Sequence, residues 1–152
     1  MSTLTATESK ECKSVVTEAP QETLALARRF ASLLKPGSVV GLLGEMGAGK
    51  THFVKGVVEG LGGDPAQVDS PTFAIINAYQ ARLPVYHVDC YRLESEEEAW
   101  IAGVETCFDG RAVSLIEWPE HIDRLLPGNA IYIRLAHVAE EKRRFTIETG
   151  LF

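Results

Sequence analysis

One short segment of the chain combines three glycines with a lysine and a threonine. It fits the pattern G-x-x-x-x-G-K-[ST], in which glycines let successive backbone N–H groups approach a phosphate without obstruction by side chains. The lysine reaches the β- and γ-phosphates, and the hydroxyl takes one place on Mg²⁺. We therefore predict that this segment binds the phosphates of a nucleotide through Gly44, Glu45, Met46, Gly47, Ala48, Gly49, Lys50 and Thr51.

Two carboxylates at the ends of apolar runs could complete such a site. Glu117 follows the run VSLI, and Asp89 follows VYHV. Ligands of open α/β sheets bind beyond the carboxyl ends of the strands, so both side chains would face the phosphates if their strands run parallel to the strand before the loop. Hydroxyl and carboxylate oxygens are the protein ligands that Mg²⁺ takes beside phosphates. Glu117 and Asp89 are therefore candidate metal ligands, and a solvated strand end is the alternative for each.

Three further features near these strands give weaker indications of a functional role. His87 shares a strand face with Asp89, but a histidine flanked by tyrosine in a strand is more often packed than catalytic. Trp118 could stack on a base or cover the sheet edge, and the sequence favours the sheet edge. The segment Asp69-Ser70-Pro71-Thr72 is typical of a turn, in which Thr72 could sense the γ-phosphate.

The elements that must position these residues can be predicted from periodicity and turn signals. A buried strand (38–43) precedes the glycines, and an amphipathic helix follows them and ends at Gly62-Gly63. A first helix begins near Pro20, and S-x-x-E at Ser95 opens a short acidic helix. Strands are predicted at 73–79, 84–91 and 112–117, with a closing antiparallel pair in AIYIRLAHV and RRFTIET. This pattern predicts an α/β three-layer fold with a mixed, mainly parallel sheet and a C-terminal antiparallel hairpin.

Length and composition limit the number of domains, the binding partners and the location that we expect for the protein. The 152 residues suit a single domain, which we place at 14–152 after a flexible tail at 1–13. A net charge of −6 argues against a direct grip on DNA or RNA. No apolar run is long enough to span a membrane, and residues 1–13 lack the features of a signal or transit peptide, so we expect a cytoplasmic protein.

Several strings occur together in the order seen in one family. They are GEMGAGKTHFVKG, DSPTFAIINAY, VYHVDCYRL, AGVETCF and LIEWPEHI, followed by LLP. In these strings the chain resembles the TsaE (YjeE) family of bacterial tRNA threonylcarbamoyladenosine biosynthesis ATPases, over roughly residues 17 to 135. The combination of S-P-T-[FY], H-x-D-x-Y-R and [IV]-E-W-P is far more specific than the glycine-rich segment alone.

The resemblance implies a P-loop NTPase-like fold and a weak, ATP- and Mg²⁺-dependent ATPase that acts with TsaB and TsaD. Together they place threonylcarbamoyl on adenosine 37 of tRNAs reading codons that begin with A, and tRNA would be contacted only through the complex. Thr51 and Glu117 are similar to the metal-holding residues, and Asp89 matches the acid implicated in hydrolysis. Lys50 would serve catalysis with them. Ser70, Pro71 and Thr72 resemble a switch-like segment, and Trp118 belongs to the functional E-W pair.

The chain departs from the family pattern at a few positions. Glu45 and Met46 replace Asp-Leu, which leaves a cradle made of backbone intact, whereas His52 replaces a threonine and puts any role of a second hydroxyl in doubt. The end of the chain matches the family weakly, and a nucleotide contact from Lys142 or Arg143 is a hypothesis that the resemblance does not support.

Two other classes of protein also use a glycine-rich phosphate-binding segment such as the one at 44–51. A small-molecule kinase would need an acceptor pocket, and a nucleotide-sensing interaction module would bind ATP without meaningful hydrolysis. No N-K-x-D string is present, which argues against guanine specificity.

Overall fold

The computed structural model describes residues 12–45, 47–69 and 75–149, which build a mixed seven-stranded sheet. Its strands, in chain order, are β1 (Cys12–Thr17), β2 (Val39–Leu43), β3 (Ile76–Tyr79), β4 (Val85–Asp89), β5 (Val113–Glu117), β6 (Ile131–Ala139) and β7 (Lys142–Thr149). They lie side by side in the order β1-β7-β6-β2-β5-β4-β3.

The four central strands of the sheet, β6, β2, β5 and β4, pair in parallel. Each edge is antiparallel, with β3 beside β4 and the β6–β7 hairpin extended by β1. The α/β class, the mixed and mainly parallel sheet and the C-terminal hairpin predicted from the sequence are therefore confirmed. Because β2, β4 and β5 are parallel, their carboxyl ends meet at one edge of the molecule.

Helices cover both faces of the sheet. Helices α1 (Pro20–Ala31) and α2 (Lys50–Gly60) pack on one face, where Phe53 and Val57 meet Leu42 and Leu115 in a continuous apolar cluster. On the other face lie the short helix α3 (Glu96–Ile101) and 3₁₀ turns that include Val104–Cys107 and Pro119–Leu125. Strands β2 and β5, between these layers, are buried along their whole length, which fixes their register. Within the described ranges, no helix is long and apolar enough to cross a membrane.

The structure adds one element that the sequence analysis did not predict. Strand β1 pairs with β7 from Cys12↔Glu148 to Thr17↔Arg143, so Cys12 and Lys13, which the prediction assigned to the tail, belong to the sheet. Residues 1–11 lie outside the described residues. Side chains 13–16 are all exposed, and β1 therefore lacks the buried alternation that would have marked it as a strand.

Helices α1 and α2 approach closely at Gly56. A Cβ atom at this position would lie 2.5 Å from the Cβ of Ala27 and 3.0 Å from the carbonyl oxygen of Leu24. We expect Gly56→Val to lower the free energy of unfolding by about 1–3 kcal/mol, because overpacking forces the two helices apart. Urea denaturation measures this change.

Gly128 supplies a matched control for that substitution. An added Cβ there would meet no atom within 4 Å, so we expect Gly128→Val to change the unfolding free energy by less than about 0.5 kcal/mol. Equal stability of the two variants would contradict the close helix contact.

Candidate functional site

The segment between β2 and α2, here called the glycine loop (residues 44–49), is shaped by backbone positions that favour glycine. Gly44 has φ +151°, and a Cβ on it would lie 2.6 Å from the carbonyl oxygen of Leu135. Gly49 has φ +99° and stands directly before the first residue of α2, where it offers no side chain to cap the helix. The N–H groups of the first turn of α2 can therefore turn to an anion, which the helix dipole also favours.

Lys50, the first residue of α2, points back into the glycine loop. Its side chain is 5% exposed, and Nζ donates a hydrogen bond of 2.6 Å to the carbonyl oxygen of Gly44. The same Nζ lies 3.9 Å from the ring centroid of Trp118. Burial lowers the pKa of Lys50, while Glu117 and Asp89 act in the opposite direction. The structure thus holds a partly desolvated cation inside the loop.

The two predicted carboxylates meet at the carboxyl ends of β4 and β5. Asp89 and Glu117 are register partners on these parallel strands, and Leu42 of β2 is the partner of Glu117 on the other side. Thr51 of α2 donates from Oγ1 to Oε2 of Glu117 over 3.2 Å. The parallel arrangement on which the prediction depended is therefore present.

Asp89 is the more accessible of the two acids. Its Oδ1 accepts a hydrogen bond of 2.9 Å from the backbone N–H of Tyr91, which fixes the side chain over the turn after β4. Burial raises the pKa of Asp89, and the neighbouring Glu117 raises it further. Glu117 itself is 5% exposed.

These side chains surround one cavity of about 370 Å³, here called the loop cavity. Its lining includes Lys50, Thr51, Asp89, Glu117 and Trp118, all of which the sequence analysis named as candidates. Of the remaining candidates, Met46, Ser70, Pro71 and Thr72 lie outside the described residues.

Trp118 takes an unusual backbone conformation directly after β5. It has φ 59° and ψ 50°, and it is the one residue other than glycine with positive φ in the described ranges. This turn directs the indole over Lys50 and against Tyr91, at 5.0 Å between ring centroids. The sequence favoured a cover for the sheet edge, whereas the structure places the ring against the glycine loop.

His87 is a residue that the sequence analysis interpreted as packing. The structure places it directly beneath Glu117, with Nε2 2.6 Å from Oε2 of that carboxylate and Nδ1 3.0 Å from the hydroxyl of Tyr79. The available signals were the two-residue spacing between His87 and Asp89 and the H-x-D-x-Y-R string, but neither could show the contact with a neighbouring strand.

A second cavity of about 260 Å³ lies on the α1 side of the glycine loop, and we call it the side cavity. His52 lines both cavities, and its Nε2 lies 3.1 Å from the carbonyl oxygen of Pro20 at the start of α1. Arg143 also lines the side cavity, whereas Lys142 lies 3.7 Å from a carboxylate oxygen of Glu18. Arg143 is thus the member of this basic pair that reaches the loop.

The donor set of the loop cavity suits Mg²⁺ better than a metal that needs a dedicated cage. The described part of the chain contains no group of three or more histidine, cysteine or acidic side chains that could hold an ion. Thr51, Asp89 and Glu117 instead offer a hydroxyl and carboxylate oxygens, the hard ligands that hold Mg²⁺ when phosphates supply the others.

Comparison with known proteins gives one consistent result. Residues 17–145 match the model of the family described as "Threonylcarbamoyl adenosine biosynthesis protein TsaE". The tRNA threonylcarbamoyladenosine biosynthesis protein TsaE of Bacillus subtilis is 43% identical over 128 residues, which cover 84% of this chain and 79% of that protein. The protein of the same name from Treponema pallidum is 39% identical, over 87% of this chain and 97% of its own.

The fold comparison agrees with the sequence comparison. The crystal structure of YdiB from Bacillus subtilis superposes with a TM-score of 0.76 at 34% identity. The match covers 93% of this chain and 87% of that one.

Proposed function

This chain belongs to the TsaE family, and on that premise we propose that it is a weak ATP- and Mg²⁺-dependent P-loop ATPase in the biosynthesis of threonylcarbamoyladenosine in tRNA. The observation that carries the proposal is the meeting of Thr51 and Glu117, 3.2 Å apart, at the mouth of a glycine loop that already holds Lys50. Asp89 is the register partner of Glu117 on the neighbouring strand. The site therefore has a phosphate cradle, a cation and a pair of acids.

Each of these residues has a distinct task in the proposed reaction. Backbone N–H groups of the glycine loop receive the β-phosphate, and Lys50 exchanges the carbonyl of Gly44 for the β- and γ-phosphate oxygens. Thr51 and Glu117 would hold Mg²⁺, with Asp89 available as a further oxygen ligand. When bound, Mg²⁺ neutralises charge on the β- and γ-phosphates. Asp89 orients the attacking water and accepts its proton.

We propose that the nucleoside end of ATP lies in the side cavity. This cavity shares Gly49 and His52 with the loop cavity, so a nucleotide with its phosphates at the start of α2 can extend into it. The remaining lining residues are Pro20, Thr23, Glu141 and Arg143.

The proposed partners are proteins of the TsaB and TsaD type, with tRNA reached through their complex. The net charge of −6 supports an indirect role, because a protein that grips the tRNA backbone itself needs a basic face. The modified nucleoside would be adenosine 37 of tRNAs that read codons beginning with A.

ATP hydrolysis by the purified protein, alone and with TsaB and TsaD, tests this function. We expect slow release of phosphate by the protein alone, loss of that release when EDTA removes Mg²⁺, and a clear change of rate when both partners are added.

Three results would contradict the proposal in different ways. A rate of ATP hydrolysis that does not change when both partners are added would argue against an ATPase coupled to them. Transfer of the γ-phosphate to a metabolite faster than to water would favour a kinase. Background turnover in the presence of partners and tRNA would indicate a nucleotide-sensing module.

A further inference from the structure

His87 occupies a buried position between two polar side chains of the sheet. It is 0% exposed on β4, where Nε2 lies 2.6 Å from Oε2 of Glu117 and Nδ1 lies 3.0 Å from the hydroxyl of Tyr79. The rings of Tyr79 and His87 also touch, with centroids 5.9 Å apart. A fully buried imidazole with a partner on each nitrogen has one orientation available to it.

The chemistry of the two partners determines where the imidazole carries its proton. An ionised carboxylate only accepts hydrogen bonds, so Nε2 must be the donor to Glu117. The hydroxyl of Tyr79 has one proton, so it either donates to Nδ1, or donates to the carbonyl oxygen of Asp69 and accepts from a protonated Nδ1. The donor role of Nε2 therefore follows from the contact with Glu117 alone.

We propose that His87 is the positioning residue for Glu117: its Nε2–H fixes the carboxylate in the orientation that meets Thr51. Both hydrogen bonds that the described residues make to this carboxylate end on Oε2, one from His87 and one from Thr51. The inference rests on the proposed function, because it treats Glu117 as a ligand of Mg²⁺. Groups that orient metal ligands in this way commonly change metal affinity or activity about 10–100-fold when they are lost.

Tyr79 fixes the other side of the imidazole and connects it to the loop before β3. Its hydroxyl lies 3.0 Å from Nδ1 of His87 and 3.3 Å from the carbonyl oxygen of Asp69. Burial raises the pKa of Tyr79, which keeps its hydroxyl protonated. A line of polar contacts thus runs from Thr51 through Glu117, His87 and Tyr79 to Asp69, the residue that precedes Ser70.

The protonation of the imidazole can be measured without nucleotide or metal. A long-range ¹H–¹⁵N correlation spectrum of the free protein reports which ring nitrogens of its four histidines carry protons. The signals of His87 are assigned by their loss in His87→Gln. We expect a protonated Nε2, and an unprotonated Nε2 would overturn the proposal.

Mg²⁺ affinity provides the second readout. We expect His87→Leu to weaken the Mg²⁺-dependent part of nucleotide binding about 10–100-fold, with affinity in EDTA unchanged. His87→Gln keeps an amide donor directed at Glu117, so its Mg²⁺ affinity should stay within about threefold of the parent protein. Calorimetric titration of each variant measures both affinities.

Ser114→Ala controls for the loss of a buried hydrogen bond. Ser114 is 0% exposed on β5, and its hydroxyl donates to the carbonyl oxygen of Cys107, away from the loop cavity. Its Mg²⁺ affinity should match the parent protein. Wild-type Mg²⁺ affinity in both His87 variants would overturn the positioning role.

A double-mutant cycle separates this inference from the proposed function. In a protein that already carries Glu117→Gln, adding His87→Leu should weaken Mg²⁺ affinity by less than about threefold. The reason is that the carboxylate oriented by His87 is no longer present. A full 10–100-fold cost in that background would contradict a role through Glu117. If the parent protein binds nucleotide without any Mg²⁺ dependence, the proposed function fails, and the spectrum of His87 still decides the hydrogen bond.

Discussion

Replacement of Lys50 by alanine is expected to abolish productive ATP binding. Lys50 is the buried cation inside the glycine loop, and its Nζ is held 2.6 Å from the carbonyl oxygen of Gly44. Charge-assisted hydrogen bonds contribute about 1.5–3 kcal/mol each, so losing contacts to two phosphates should weaken ATP binding by roughly 150-fold or more. Calorimetry measures the affinity, and complementation of a strain that lacks its own TsaE measures the consequence in cells.

Lys55→Ala is the matched control, because it makes the same change five residues further along α2, and Lys55 is not among the residues that line the loop cavity. Its affinity and complementation should equal those of the parent protein. Normal complementation by Lys50→Ala would count heavily against a phosphate-binding role of the glycine loop.

Asp89→Asn is expected to separate hydrolysis from binding. The amide oxygen can still accept the hydrogen bond from the backbone N–H of Tyr91, so the turn after β4 should keep its shape. An amide cannot accept the proton of the attacking water, and the loss of general base catalysis typically costs about 10²–10⁴ in rate. Single-turnover phosphate release should fall by that factor, while Mg²⁺-ATP affinity falls far less, because Thr51 and Glu117 remain and the amide keeps an oxygen in the place of the carboxylate.

Asp109 offers the same local geometry far from the carboxylate pair. Its Oδ1 accepts hydrogen bonds from the backbone N–H groups of Arg111 and Ala112, at 2.8 and 3.0 Å. Asp109→Asn should therefore leave the rate of phosphate release unchanged. A parent-like rate in Asp89→Asn, or an equal loss in both variants, would remove Asp89 from the reaction.

Much of the fold could be predicted because its signals are local. Apolar runs mark β2 and β5 as buried strands, and the glycines at 44, 47 and 49 specify the loop by composition. The meeting of Asp89 and Glu117 was predicted on the condition that their strands run parallel, and the register of β4 and β5 meets that condition. These inferences depend only on periodicity and on the polarity of strand ends.

The features that the sequence did not predict depend on pairings between distant segments. The hydrogen bond between His87 and Glu117 joins two strands, and although His87 begins the H-x-D-x-Y-R string, that string does not show which side chain the imidazole contacts. Strand β1 exists because it pairs with β7, while four of its side chains are exposed and follow no alternation. The direction of Trp118 depends on one backbone angle that no motif specifies.

That backbone angle has an energetic cost at the end of β5, and the side chain of Trp118 compensates for it. A residue with a side chain costs about 1–2 kcal/mol in the left-handed conformation that Trp118 adopts at φ 59°, whereas glycine adopts it without this cost. An engineer who sought a more heat-resistant variant from the backbone alone would choose glycine at position 118. The same change would remove a ring that packs against the apolar cluster of Ile116 and Ile122 and lies 3.9 Å from Nζ of Lys50, so lost packing would offset the gain in backbone energy and the site would lose its cation–π contact.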